Sequence, residues 1–235
     1  MRQFVACTDE PTARRRTFKL LALALGLLSL ALVLPASAFI SAGDSGWFRQ
    51  SPWTVGEFTA VAFSDANHGW VVGSTWSEDS PHSAILATVN GGATWKKQKS
   101  ASFDVYLTAV AFSDAKHGWA VGEDINIGSG HGVILATSNG GVTWSKNNSV
   151  SSADLHGVAF TDAKHGWVVG SAGTILATVN GGATWKKQSS GSDNWLQGVA
   201  FTDAKHGWAV GIRGTILATT SGGFAVVVTP KTTLQ

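Results

Sequence analysis

At 235 residues the chain can form one domain with a substantial core, and 44% hydrophobic against 14% charged residues excludes a disordered polymer. Its net charge of +2 comes from 17 basic and 15 acidic residues, of which five basic and two acidic lie in positions 1–38. The remainder holds 12 basic and 13 acidic residues, so no basic stripe is left to neutralise a phosphate backbone, and nucleic acid is not an expected partner.

Positions 1–38 read as an export segment. Arg14, Arg15 and Arg16 precede an apolar run from Leu20 to Leu34, which ends in Pro35-Ala36-Ser37-Ala38. A positive n-region, an apolar h-region and an Ala-x-Ala end are the parts of a secretory signal, with cleavage expected after Ala38. The alternative is an uncleaved anchor, because residues 20–40 are just long enough to span a bilayer. Membrane contact is expected only through this segment. Arg15-Arg16-Thr17-Phe18 also resembles the twin-arginine export signal, although Lys19-Leu20 inverts its usual order, so two export routes stay open. The single cysteine, Cys7, lies here too, which leaves residues 39–235 without an internal disulfide or a thiolate metal site.

Residues 39–235 are governed by internal repetition. The motif Asp-Ala-(Asn/Lys)-His-Gly-Trp occurs at Asp65–Trp70, Asp114–Trp119, Asp162–Trp167 and Asp203–Trp208. Its histidines fall at nearly regular intervals, the last interval being the shortest. A second motif follows the first three copies, at Thr88–Trp95, Thr137–Trp144 and Thr178–Trp185. The fourth copy starts at Thr219 and loses the pattern after Gly223.

The third copy shows the unit most clearly. Leu155–Phe160, Gly166–Ser171, Thr174–Val179 and Thr184–Gln188 read as strands, separated by turns that carry Gly. Four short strands in an up-and-down sheet make one propeller blade. The expected fold is therefore all-β: a propeller-like array of four four-stranded antiparallel blades, over repeats 58–98, 107–147, 155–188 and 196–228. A helical solenoid is excluded by the lack of a sustained 3.6-residue apolar period.

Lysines on the outermost strands, Lys96-Lys97 and Lys186-Lys187, suit a solvated sheet edge. Trp47 stands at the same distance before Phe63 as Trp185 does before Phe201. Residues 47–50 thus read as an orphan outer strand that can complete the last blade and close a ring. The run Phe224–Val228 competes for that place.

The Thr-x-Asn-Gly-Gly-x-Thr-Trp segments resemble the Asp-box of the bacterial-neuraminidase-type repeat, with Asn90, Asn139 and Asn180 at the Asp position. Together with the Asp-Ala-Lys-His-Gly-Trp segments, the repeat resembles the photosystem II stability and assembly factor family over about residues 47–223. The resemblance implies an exported, non-enzymatic scaffold that binds a protein, such as a membrane-complex subunit, in the periplasm or a compartment like the thylakoid lumen. It also implies a seven-bladed ring and an arginine patch for the partner. Here there is room for four blades, and residues 39–235 hold only Arg49 and Arg213. A small closed ring, an open arc completed by a second copy, and a truncated larger propeller all stay open.

An Asp-box sialidase would need three arginines and a tyrosine nucleophile, which two arginines and the lone Tyr106 do not supply. A carbohydrate-binding or glycoside-cleaving propeller is the alternative from another class. It would draw on carboxylates such as Glu57, Glu78, Asp79, Glu123 and Asp124. No cofactor is expected.

The repeated residues read as structural: His68, His117, His165 and His206 in the first turn of each blade, Asn90, Asn139 and Asn180 in the third, and Trp95, Trp144 and Trp185 on the fourth strand. One histidine per blade could form a metal-binding ring. Recurrence of a turn-fixing residue explains it more simply, and no metal is expected.

Along an up-and-down blade, alternate turns lie on alternate faces, so the first and third turns share one face. The second turn and the blade-to-blade connection share the other, where the second turns lengthen to Thr75–Ser83 and Glu123–Gly132. Candidate partner-binding residues on this variable face are Trp53, Trp76, Glu78, Asp79, Tyr106, Glu123, Asp124, Trp195 and Arg213.

Overall fold

The computed structural model describes residues 46–47, 50, 56–76, 81–98, 105–125, 131–147 and 151–223. The expected export segment, Trp53, Glu78, Asp79 and Phe224–Val228 lie outside the described residues, as does the side chain of Trp76.

Four antiparallel sheets follow one another along the chain. The first is β1 (Gly56–Phe63), β2 (Gly69–Trp76), β3 (Pro81–Thr88) and β4 (Lys96–Lys97). The second is β5 (Val105–Phe112), β6 (Gly118–Asp124), β7 (Gly132–Thr137) and β8 (Ser145–Asn147). The third is β9 (Leu155–Phe160), β10 (Gly166–Gly170), β11 (Ile175–Thr178) and β12 (Lys186–Gln188). The fourth is β13 (Leu196–Phe201), β14 (Gly207–Gly211) and β15 (Ile216–Thr219), with three strands among the described residues. Each strand pairs with the next in sequence, which is the order of a propeller blade. The first strands of successive blades lie side by side.

Two devices hold the blades together. The first is a β-bulge in each first strand, which leaves Thr59, Thr108, His156 and Gln197 out of the ladder. The released Thr59 hydroxyl donates to the Leu107 carbonyl at 2.7 Å, and Thr108 donates to Leu155 at 2.7 Å, each bond crossing to the next blade.

The second device is aromatic. Trp70, Trp119 and Trp167 stack on Phe112, Phe160 and Phe201 of the following blade, with centroids 3.4–3.5 Å apart. Their indole N–H groups donate to the carbonyls of Gly140, Gly181 and Gly222, at 2.9, 3.0 and 2.8 Å. The rings of Trp95, Trp144 and Trp185, each immediately before a fourth strand, then meet Phe63, Phe112 and Phe160 of their own blades edge-on. Buried aliphatics complete each joint: Val72 and Ile85 pack against Leu107 and Val110 at the first, and Val121 and Ile134 against Leu155 at the second.

The outer strands are shorter than the sequence predicts. In the third blade the ladder begins at Lys186, not Thr184, because the Thr184 amide and hydroxyl are both tied to the Asn180 side chain. The expected outer strand at 47–50 has its described residues, Trp47 and Gln50, outside any ladder. Gln50 instead sits at the first blade, where it accepts a 2.9 Å hydrogen bond from the Trp95 indole.

Candidate functional site

One face of the array is built the same way in every blade. In the first turn, Asp65 accepts hydrogen bonds from the amides of Asn67 and His68 at 2.7 and 2.9 Å. Asp114, Asp162 and Asp203 repeat this bonding. The imidazole Nδ1 atoms of His68, His117, His165 and His206 each lie 2.8 Å from the carboxylate of that same aspartate. Backbone donation from Asn67 and the His68 contacts hold the Asp65 carboxyl down at about 2. The His206 side chain and the neighbouring amides do the same for Asp203, also about 2. Each repeat histidine therefore braces its own turn.

The third turn is tied to the first. The amides of Gly91, Gly140, Gly181 and Gly222 donate to the carbonyls of Asn67, Lys116, Lys164 and Lys205, at 2.7–2.9 Å. Within the turn, Asn90, Asn139 and Asn180 each accept from a threonine amide four residues on, at 2.9–3.0 Å. They accept as well from the threonine hydroxyl two residues before, at 2.9 Å. The first and third turns thus share one face, and its polar groups are largely used within the scaffold.

The opposite face collects the second turns and the connections. The second turn of the third blade bonds to both its neighbours: Ser171 N–H donates to the Asp154 carbonyl and Gly173 N–H to the Asn194 carbonyl. Here the sequence departs from the repeat. Tyr106 lies opposite Glu123 in the β5–β6 register. Glu123 hydrogen-bonds Asp154, and its carboxyl is pushed up by burial and then by the Asp154 charge. Tyr106 is pushed up by burial and then by the Glu57 and Glu123 charges.

His156 occupies the bulge where the first two blades carry Thr59 and Thr108. Its ring is turned towards the next blade, stacking on Trp195 at 5.8 Å, and its Nε2 lies 3.1 Å from the Ser171 hydroxyl. Burial pushes the imidazole down, against the opposing pull of Asp154, which favours the neutral ring. Glu57, Tyr106, Glu123, Asp154, His156 and Trp195 thus make an acidic and aromatic ridge that runs from the first blade to the fourth. Trp195 is half-exposed at its end.

The structure sorts the candidate residues. Tyr106, Glu123 and Trp195 fall on the ridge. Asp124 is buried and ion-paired with Lys146 at 2.5 Å, which fixes it inside the second blade. Arg213 stands exposed in the short turn Ile212–Gly214 of the fourth blade, with φ of 55°. Asp154 and His156 were absent from the residues singled out in the sequence. The signal for His156 was its place four residues before Phe160, where Thr59 and Thr108 precede Phe63 and Phe112.

A family model for the photosynthesis system II assembly factor YCF48 matches residues 45–151 and 150–195. The chain belongs to this family. No curated protein matches it. Among solved structures, YCF48 bound to a D1 peptide is 21% identical, with a TM-score of 0.58, over 80% of this chain and 57% of that one. YCF48 from Cyanidioschyzon merolae is 21% identical, with a TM-score of 0.52, over 72% of this chain and 54% of that one. An ancestral GH74 enzyme is 16% identical, with a TM-score of 0.55, over 74% of this chain and 24% of that one. These likenesses carry the propeller fold, and the chain spans little more than half the length of the two YCF48 structures.

Proposed function

We propose that this member of the YCF48 family is an exported, non-enzymatic scaffold that binds a protein segment, a subunit of a membrane complex such as photosystem II, on the face opposite its repeated turns. The observation that carries the reading is the ridge from Tyr106 through Glu123, Asp154 and His156 to Trp195. It breaks the repeat on one face, while the other face spends its polar groups on itself. A half-exposed tryptophan beside part-buried Tyr106 and a few charges suits a protein hot spot, and loops that vary on a constant scaffold are where specificity resides. The solved relative with a bound D1 peptide supports a peptide as the ligand class.

The glycoside-cleaving reading is less well supported. Either stereochemical route needs two carboxyl groups separated by roughly 5 Å or more across the scissile bond. Glu123 interacts directly with Asp154, which raises its carboxyl, so the two act on each other and not as a pair spaced across a scissile bond. Titrating the purified protein by calorimetry with a D1 peptide and with a panel of glycans separates the two. Heat from the peptide alone is expected. Saturable heat from a glycan, or its cleavage, would replace this function with the carbohydrate one.

Export rests on Arg14–Arg16, the Leu20–Leu34 run and Ala36-Ser37-Ala38. Mass spectrometry of the native protein should find a start near Phe39 outside the cytoplasm. An intact N-terminus in the membrane pellet would make the segment an anchor.

A further inference from the structure

The two ends of the array are the two halves of its own internal joint. At the joint between the first and second blades, Trp70, Val72 and Ile85 face Leu107, Val110 and Phe112, and the three outgoing side chains are 2%, 0% and 0% exposed. The equivalents of the outgoing half in the fourth blade are Trp208, Val210 and Ile216, exposed by 46%, 47% and 73%. The equivalents of the incoming half in the first blade are Phe58, Val61 and Phe63, exposed by 37%, 61% and 48%. The same residue classes thus stand at the same register positions, and both halves are exposed among the described residues.

The polar parts of the joint are unmatched in the same sense. Trp70, Trp119 and Trp167 each have a following phenylalanine and a glycine carbonyl. Among the described residues Trp208 has neither, while Phe63 has no preceding tryptophan stacked on it and Gly91 holds the matching carbonyl position.

The N-terminal residues fit the same joint. Gln188 at the end of β12 packs on Gly223 of the next blade, and Asn147 at the end of β8 donates to the Gly182 carbonyl of the next blade at 2.7 Å. Gln50 packs in the same way on Gly92 of the first blade. Gln50 therefore holds the place of the last residue of an outer strand next to the first blade, and Trp47 is 89% exposed. The fourth blade has three strands among the described residues and a cavity of about 350 Å3, lined by Phe201, Trp208, Leu217 and Gly222. In the first three blades the tryptophan just before the fourth strand sits against the matching phenylalanine.

We propose that a second copy of this chain docks head to tail, placing its fourth blade before the first blade of its partner, and that the pair closes into one ring. Each Trp208 stacks on Phe63 of the other copy and donates to the Gly91 carbonyl there. Each Trp47 completes the other copy's fourth blade. A head-to-tail contact repeated twice about a two-fold axis closes, and two sets of four blades stay within the usual range of four to eight.

The experiment is a mass measurement by light scattering and sedimentation on the purified protein, on Trp208→Glu, on Val61→Asp and on an equal mixture of the two variants, with circular dichroism to check the fold. The expected masses are two chains for the wild type, one chain for each variant, and two chains for the mixture. The mixture recovers through one unaltered joint, between the tail of the Val61→Asp copy and the head of the Trp208→Glu copy, while the second joint carries both changes and leaves the pair weaker than the wild type. A wild-type protein of one chain, or an open polymer, overturns the proposal whatever the variants do. A mixture of two folded variants that stays at one chain even at concentrations well above those at which the wild type pairs also overturns it.

Discussion

At the scale of single residues, the four His–Asp turns make stability depend on acid. Asp65, Asp114 and Asp203 are held at about 2 in the folded chain, against an ordinary value of 3.8. At Asp114 burial works the other way and is outweighed by the His117 and Lys116 donors. A folded-state value below the unfolded one contributes stability that is complete above about pH 4 and is lost as pH falls toward about 2. Tryptophan fluorescence during acid titration should show unfolding in that window. The triple replacement Asp65→Asn, Asp114→Asn and Asp203→Asn should flatten the pH dependence there while lowering stability at neutral pH; an unchanged acid profile would remove the carboxylates from this role.

The tryptophans divide in a way the sequence did not show. Trp167 donates its N–H to Gly222, whereas the buried N–H of Trp185 has no partner among the described residues. Trp167→Phe should therefore cost about 1 kcal/mol more than Trp185→Phe in urea denaturation. Trp185→Ala, which removes the whole ring, should cost about 3–5 kcal/mol. Equal costs for the two phenylalanine variants would mean that the Gly222 bond adds nothing net.

At the scale of elements, the Asn-Gly-Gly hairpin was legible because its parts sit at fixed offsets. Gly181 and Gly182 take φ of 69° and 85°, and a Cβ on Gly181 would meet the Ala163 carbonyl at 2.7 Å. Gly181→Ala should destabilise through both strain and that contact. Asn180→Asp keeps an oxygen acceptor for the Thr184 amide, and the Thr184 hydroxyl can turn to donate to it. It should be tolerated, where Asn180→Ala loses the whole turn network; thermal unfolding of the three variants checks the order. Strand order and the sharing of faces by alternate turns also followed from the repeat. The bulges did not, because an extra residue in β9 shows itself only once Gly157 pairs with Val169 and Leu155 with Gly170. That is why His156 passed unnoticed although it anchors the ridge. The ion pair of Asp124 was hidden for a similar reason: its partner Lys146 lies 22 residues away on β8, beyond anything the local sequence displays.

At the scale of the whole molecule, repetition made the blade architecture legible. It could not show which faces are covered, because Trp208 occupies the same motif position as Trp70, Trp119 and Trp167 and differs, among the described residues, in having no phenylalanine stacked on it. The same repetition divides the surface between a self-satisfied face and a variable one, and binding on the variable face is the central claim. Its direct test is the affinity for a D1 peptide of the wild type, of Trp195→Ala with Glu123→Ala, and of Lys96→Ala with Lys97→Ala on the outer edge. Removing a hot-spot aromatic and its charged neighbour should weaken binding by about tenfold or more, with the lysine pair unchanged. Binding that survives the first pair and fails with the second would place the partner on the blade edge and contradict the account.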